Sequence, residues 1–369
     1  MQTYWDVAVG KNPNWGDPTD HPSRRWLVEH VKGSVLEIGF GTGKDYRNLR
    51  TRVKEYRGYD NCASFAKLCK EMFPEGDFRL GSALNIPERV CSWDTVILRH
   101  VIEHTSNWKA ALFEGFRVAR RKVLLVLWRP LSDKPSSVRR HEPEGYCWDI
   151  NRKEFLDYLR SLTPDIRSYT FEGERPNWAW VLEKNDVVFD LDDFHEHAPN
   201  VYLLPVLKER FPKLKVTLFT VPAKCSPDFL KEWAGRDWVE LAVHGWTHEP
   251  NTECLKWNEA RTRNVLEAVE LTKAFVKGFK APGWELRPEV ARVLAERGYW
   301  LSHLRKKQSQ LGGVKLPVFW LPHPWSVHGH MQNISSNRPQ LQNGLAQLLE
   351  RGYPFHEGTR FHYISELVR

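Results

Sequence analysis

Three short stretches carry residue types that chemistry uses. FDLDDFHEH, residues 189–197, packs four acids and two histidines directly after an apolar run. Carboxylates at that density could bind a divalent cation, move protons, or do both. Downstream, AVHGWTHEP sets His244 and His248 four residues apart in a segment rich in turn formers. Two imidazoles and one carboxylate oxygen would make a three-ligand site open to substrate. A helical HExxH zinc-protease motif is excluded, because Gly245 follows the first histidine where that motif needs Glu. Far upstream, VLEIGFGTG places Gly39, Gly41 and Gly43 between an apolar run and a helical pattern. A turn of that kind lets the backbone approach a ligand closely. The dinucleotide pattern GxGxxG would need glycine at 44, and Lys44 stands there. Asp60 ends the next expected strand, EYRGYD, where a carboxylate can accept both hydroxyls of a ribose.

The elements around these residues read as alternating strands and helices. Apolar runs at 34–39, 93–99 and 122–128 predict strands, EYRGYD at 55–60 reads as a further strand, and amphipathic patterns at 45–53, 62–73, 107–119 and 151–162 predict helices. A final strand is expected at 178–183. Alternation of this kind implies a parallel sheet covered on both faces. A second βα rhythm starts almost without a linker. Strands are expected at 187–191, 215–221 and 239–245, with helices at 203–211, 226–234, 258–276 and 287–298. The polar residues of interest fall at the carboxyl ends of strands, where α/β folds place ligands. The expected domains are 1–183 and 184–369.

Composition narrows the classes. The chain has 369 residues, enough for two cores, with 41% hydrophobic and 27% charged residues. Six cysteines form no CxxC pair and read as reduced thiols, buried or incidental. Neither an apolar leader nor an 18-residue apolar run is present, so the expected location is cytoplasmic, with no membrane span. The net charge of +8 is shared evenly by the two halves, which disfavours a basic nucleic-acid tail. Seventeen tryptophans are many for this length, and Trp246, Trp284 and Trp325, beside the polar motifs, could stack on sugar rings or simply pack.

With Glu37 two positions before Gly39, the GxGxG loop and Asp60 resemble class I S-adenosylmethionine-dependent methyltransferases. LGSALNIP (80–87) is similar to the segment that borders the adenine in that family and SWDTVILRHVIEHTSNW to its FDxV…EH run, and RVARRKVLLVLW stands where the family has RxLxPGG before a strand. Ser82 replaces the usual Asp, and a PGG turn is missing. The resemblance implies a Rossmann-like doubly wound sheet that binds S-adenosylmethionine through Glu37, Gly39, Gly41, Gly43, Asp60, Ser82 and Ala83. The acceptor would meet the amino-terminal segment and residues 129–149, with His104 near the cofactor or merely packed.

In the second half, the order of paired acids, HGWTH, FKAPGW (279–284) and a late histidine in LPHPWSVHGH resembles the polysaccharide deacetylase family, also called the NodB homology domain. The third motif departs at Lys280 and Ala281. The resemblance implies a (β/α) barrel-like domain that holds a divalent metal, zinc being the expected ion, on Asp193, His244 and His248. Asp192 would be the general base and His330 the acid, with His328 and His323 as alternatives. A shifted register would make Asp190 the base and Asp192 the ligand, while His195, Glu196 and His197 would be loop residues. Together the two resemblances imply a bifunctional α/β enzyme, methyltransferase and deacetylase, acting on a glycan, nucleotide-sugar or lipid-linked sugar. The alternatives are the same chemistries on a nucleobase in nucleic acid, or one domain that only binds.

Overall fold

A computed structural model describes residues 4–11, 18–141, 145–172, 176–321, 323–331 and 355–368. Parts of the expected acceptor-facing segments, residues 1–3, 12–17 and 142–144, lie outside the described residues. The chain divides into two compact units, Met1–Asn185 and Asp186–Arg369.

In the first unit, strands β1 (Ser34–Ile38), β2 (Glu55–Asp60), β3 (Phe78–Leu80), β4 (Trp93–Arg99), β5 (Ala119–Leu127), β8 (Ile166–Phe171) and β9 (Asn177–Glu183) form one sheet. Its order is β3-β2-β1-β4-β5-β9-β8. The first five strands are parallel; β9 and β8 run antiparallel. The 178–183 run is therefore not an edge, since β8 pairs beyond it. A separate ribbon joins β6 (Ser137–His141) to β7 (Gly145–Asp149). Every residue of β1 is buried, as are the last six of β5. Removing each of their Val, Leu and Ile side chains from water contributes about 1.5–3 kcal/mol. Helices α1 (Tyr4–Lys11), α2 (Pro22–His30), α3 (Lys44–Leu49), α4 (Ala63–Met72), α5 (Trp108–Val118) and α6 (Arg152–Leu162) accompany the sheet. Asn107 and Asn151 cap α5 and α6 by accepting the N–H groups of Ala110 and Glu154.

The second unit is a nearly closed, all-parallel barrel. Strands β10 (Asp186–Phe194), β11 (Val216–Thr220), β12 (Val239–Val243), β13 (Gly278–Phe279), β14 (Trp300–Leu304), β15 (Val318–Leu321) and β16 (Ser326–His330) follow the order β15-β14-β13-β12-β11-β10-β16. A short β17 (Arg360–His362) shares the free edge of β10 with β16: it pairs residues 186–188, and β16 pairs 188–192. Helices α7 (Leu203–Arg210), α8 (Pro227–Ala234), α9 (Glu259–Leu271) and α10 (Pro288–Glu296) connect the strands. Val265, Leu266 and Val269 of α9 and Val290, Ala291 and Leu294 of α10 pack with Val243, Phe279 and Leu301 into one apolar cluster. The helix expected over 258–276 stops at Leu271. There the Thr272 hydroxyl donates to the Val269 carbonyl, and Lys273 turns left-handed with φ +56°.

Candidate functional site

The glycine loop of the first unit opens onto a cavity of about 1160 Å³, above the roughly 300–1,000 Å³ of a single-ligand pocket. Gly39 and Gly41 line it with Asp60, Ser82 and Ala83. Gly39 has φ +75°, and a Cβ there would lie 2.4 Å from Val101 Cγ2, so both conformation and space demand glycine. Asp60 ties the loop to the end of β2: Oδ2 accepts the Gly41 N–H at 2.9 Å and Oδ1 accepts that of Cys62 at 2.9 Å. Burial pushes the Asp60 carboxyl up to about 6. Ser82 turns inward on its own loop, its hydroxyl accepting the Leu84 N–H.

Glu37 and Gly43 do not line this cavity. Glu37 is buried in β1 and accepts the Tyr56 hydroxyl at 2.5 Å. Burial, reinforced by nearby Asp45, raises its carboxyl well above the ordinary range. Gly43 precedes α3 with φ +69° and packs against Cys69 and Phe73. His104 lines the cavity with both ring nitrogens engaged. Nδ1 donates to the Tyr146 carbonyl at 2.9 Å, and Nε2 accepts Trp128 Nε1–H at 3.1 Å. That fixes one neutral tautomer and leaves no lone pair for a substrate proton. Sequence reasoning missed Arg99, His100 and Asn177, which also line the cavity; His100 Nε2 and an Arg99 N–H meet the Asn177 side-chain carbonyl. No spacing rule joins β4 to a residue on antiparallel β9.

At the barrel mouth, β10 solves a geometric problem. Successive strand residues face opposite ways, so Asp190 and Asp192 share the interior face, where both are fully buried, and Asp193 should point away. The register with β11 shifts between Leu191 and Phe194, and Asp193 adopts φ +63°. This bulge brings Asp193 to the same mouth. Its Oδ1 lies 3.0 Å from His248 Nε2 and 3.6 Å from His244 Nε2. One carboxylate oxygen and two imidazole nitrogens, all within 4.8 Å of one another, are a donor set that a divalent ion takes. The His244 Nδ1–H donates to the Lys280 carbonyl at 2.9 Å, which leaves Nε2 bare for a cation. Asp193, His244 and His248 therefore fit a divalent ion. Burial would raise the Asp193 carboxyl, but the His248 and His330 hydrogen bonds hold it far below the usual carboxylate range.

A second group adjoins the first. The buried Lys280 ammonium lies 2.8 Å from Asp192 Oδ1 and 3.4 Å from Asp190 Oδ2. Against burial, which would raise it, Lys280 and then His328 hold the Asp192 carboxyl far below normal. The pairing of β10 with β16 aligns Asp190 with His328 and Asp192 with His330. His328 Nδ1–H donates to Asp190 Oδ2 at 2.6 Å, and His330 Nδ1–H donates to Asp193 Oδ2 at 3.0 Å. Asp192 Oδ2 and His328 Nε2, 3.6 Å apart, have no hydrogen-bond partner among the described residues. Trp284 stands over this group, its ring 4.3 Å from Lys280 Nζ and 5.3 Å from the His328 ring.

The other candidates fall elsewhere. His323 contacts Phe319 and Trp325, and burial pushes its imidazole down to about 4. His195 Nδ1 accepts the His197 N–H, and Glu196 accepts that of Ser226. In the basic run 117–122, Arg117 pairs with Glu114, and Arg120 and Arg121 pair with Asp94. Glu253, which no pattern marked, accepts three backbone N–H groups of the HGWTH turn. Among the described residues, no helix is long and apolar enough to cross a membrane.

Residues 36–127 match the family model described as "Methyltransferase domain". A demethylmenaquinone methyltransferase from Thermotoga maritima is 24% identical over 148 residues, 39% of this chain and 62% of that protein, so less than two thirds of that relative's length is spanned. An uncharacterized methyltransferase-like protein from Schizosaccharomyces pombe is 25% identical over 234 residues, 56% of this chain and 89% of that one. The solved structure of CalS10, an amino pentose methyltransferase from Micromonospora echinaspora, is 14% identical, with a TM-score of 0.36 over 49% of this chain and 99% of that chain. The first unit thus carries a class I S-adenosylmethionine-dependent methyltransferase domain.

Proposed function

We propose that the chain is a bifunctional enzyme that transfers a methyl group in its first unit and hydrolyses an amide in its second, on a glycan, nucleotide-sugar or lipid-linked sugar. Bound at the glycine loop, S-adenosylmethionine supplies an electrophilic methyl group. Gly39 and Gly41 admit it closely, Asp60 accepts its ribose hydroxyls, and Ser82 and Ala83 border its base. The cavity volume beyond one ligand is where the acceptor binds, beside Trp128 and Tyr146.

The observation that supports the hydrolytic reading is the β10 bulge, which gives neighbouring carboxylates different duties. Asp193, with His244 and His248, is arranged to hold a divalent metal, zinc in our reading, which supplies electrophilic activation of an amide carbonyl and of water. Asp192 commits Oδ1 to Lys280 and keeps Oδ2 free, so it accepts the proton of the attacking water as general base. His330, raised by Asp193 against the pull of burial, donates a proton to the leaving amine. His328, oriented by Asp190, is the rival donor. Mass spectrometry of acetylated sugars incubated with the protein, S-adenosylmethionine and zinc tests the reading. Gain of one methyl group and loss of one acetyl group are expected. Retention of every acetyl group across simple, nucleotide-linked and lipid-linked sugars would sink the hydrolytic half.

A further inference from the structure

The turn that presents His244 and His248 has an awkward backbone. Gly245 has φ +67° and His248 φ +60°, and the N–H groups of Trp246, Thr247 and His248 converge on one point. Such a concave set of N–H groups is an anion receptor. Its anion is internal: Glu253 Oε1 lies 2.7, 3.1 and 2.9 Å from these three nitrogens, and Oε2 accepts the Thr247 hydroxyl at 3.2 Å. Glu253 as a residue is 5% exposed, so water does not replace it cheaply. A Cβ on residue 245 would lie 2.3 Å from Glu253 Oε1 and 2.6 Å from Pro282 Cγ. Gly245 is thus required both for its dihedral angle and for the approach of the carboxylate.

We propose that Glu253 is a positioning residue for the candidate metal site: it clamps the turn in the left-handed form that aims His248 Nε2 at Asp193. The inference rests on the metal-site reading above. A non-glycine residue at φ +60° is disfavoured by its own sterics, so something must hold it there. Among the described residues, Glu253 is the acceptor that takes all three N–H groups and the hydroxyl together, and its charge strengthens each of those bonds. Without it the turn relaxes, His248 swings off the line to Asp193, and the folded protein pays in cation affinity rather than in fold.

Zinc affinity of the full chain, measured by competition with a chelating dye, tests this. Glu253→Gln should weaken zinc binding about 10–100-fold, the usual range for a group that orients a ligand, while circular dichroism shows the zinc-free protein folded and S-adenosylmethionine affinity stays unchanged. A merely structural Glu253 would lower the melting temperature and leave the zinc affinity of the folded chain at the wild-type value, and that result overturns the proposal. Should Glu253→Gln not fold, Glu253→Asp keeps the charge and shortens the reach. Weaker zinc binding by it supports the clamp, and wild-type affinity overturns it. Wild-type protein that takes up no zinc overturns the metal-site reading itself, and the clamp with it.

Discussion

Asp60 and Asp192 both lie near the carboxyl end of a parallel strand, and both are buried, yet they hold protons in opposite ways. Asp60 accepts only backbone N–H groups among its described partners, and burial pushes it up to about 6. Asp192 has the Lys280 ammonium at 2.8 Å, and that cation overrides a burial that is more complete still. A carboxylate held by dipoles alone suits neutral hydroxyl donors. One with a dedicated cation stays ionised in the apolar interior, as a base or a neighbour of metal must. The two units use the same βα grammar and differ in whether a lysine follows the facing strand.

The largest effect expected on this contrast comes from the barrel. Metal analysis of the wild-type protein should find close to one divalent ion per chain; His244→Ala with His248→Ala should remove it and lower amide hydrolysis at least about 10²–10³-fold, with S-adenosylmethionine binding intact, and metal retained in that variant would disprove the site. Next, Lys280→Ala leaves Asp192 buried without its cation, and urea denaturation should register a loss of about 3–5 kcal/mol in the second unit. A loss below about 1 kcal/mol, the surface-pair range, would mean that the pair is not what keeps Asp192 ionised. On the other side, Asp60→Ala should weaken S-adenosylmethionine binding by roughly 10–100-fold in calorimetry, the worth of hydrogen bonds to a charged acceptor. Unchanged affinity would remove Asp60 from the site.

The smallest effect is on pH. Because the ionised Asp60 is the better acceptor, affinity for S-adenosylmethionine should be full above its value of about 6 and fall as pH drops below it, approaching tenfold per unit. Asp60→Asn should flatten that profile; a wild-type profile flat from pH 7 to 5 would contradict the raised carboxyl.

Much of this was legible in the sequence where pattern is local. Apolar runs located β1, β4 and β5 because burial of both sheet faces writes itself as consecutive Val, Leu and Ile. His244 and His248 stood out through their spacing. The bulge at Asp193 was not legible, since a register shift depends on the partner strand. Lys280 read only as a departure from a family motif, and its meaning appeared when β13 brought it across to Asp192. Glu253 left no trace, because one carboxylate serving three N–H groups has no periodicity. Strands β14 to β17 are short, with Trp and His among the apolar residues, and gave no clear period.

The shared edge of β10 has a kinetic consequence. Asp192 meets Lys280 across 88 residues of chain, Asp190 meets His328 across 138, and Asp186 meets His362 across 176. Contacts so far apart in the chain carry the greatest loop-closure entropy and slow the search for the native topology. Until those loops close, the acids of this strand are hydrated anions with no incentive to enter an apolar interior. The barrel's polar heart is therefore a late-forming feature, and refolding at low ionic strength, where like charges repel over longer range, should be its slowest regime.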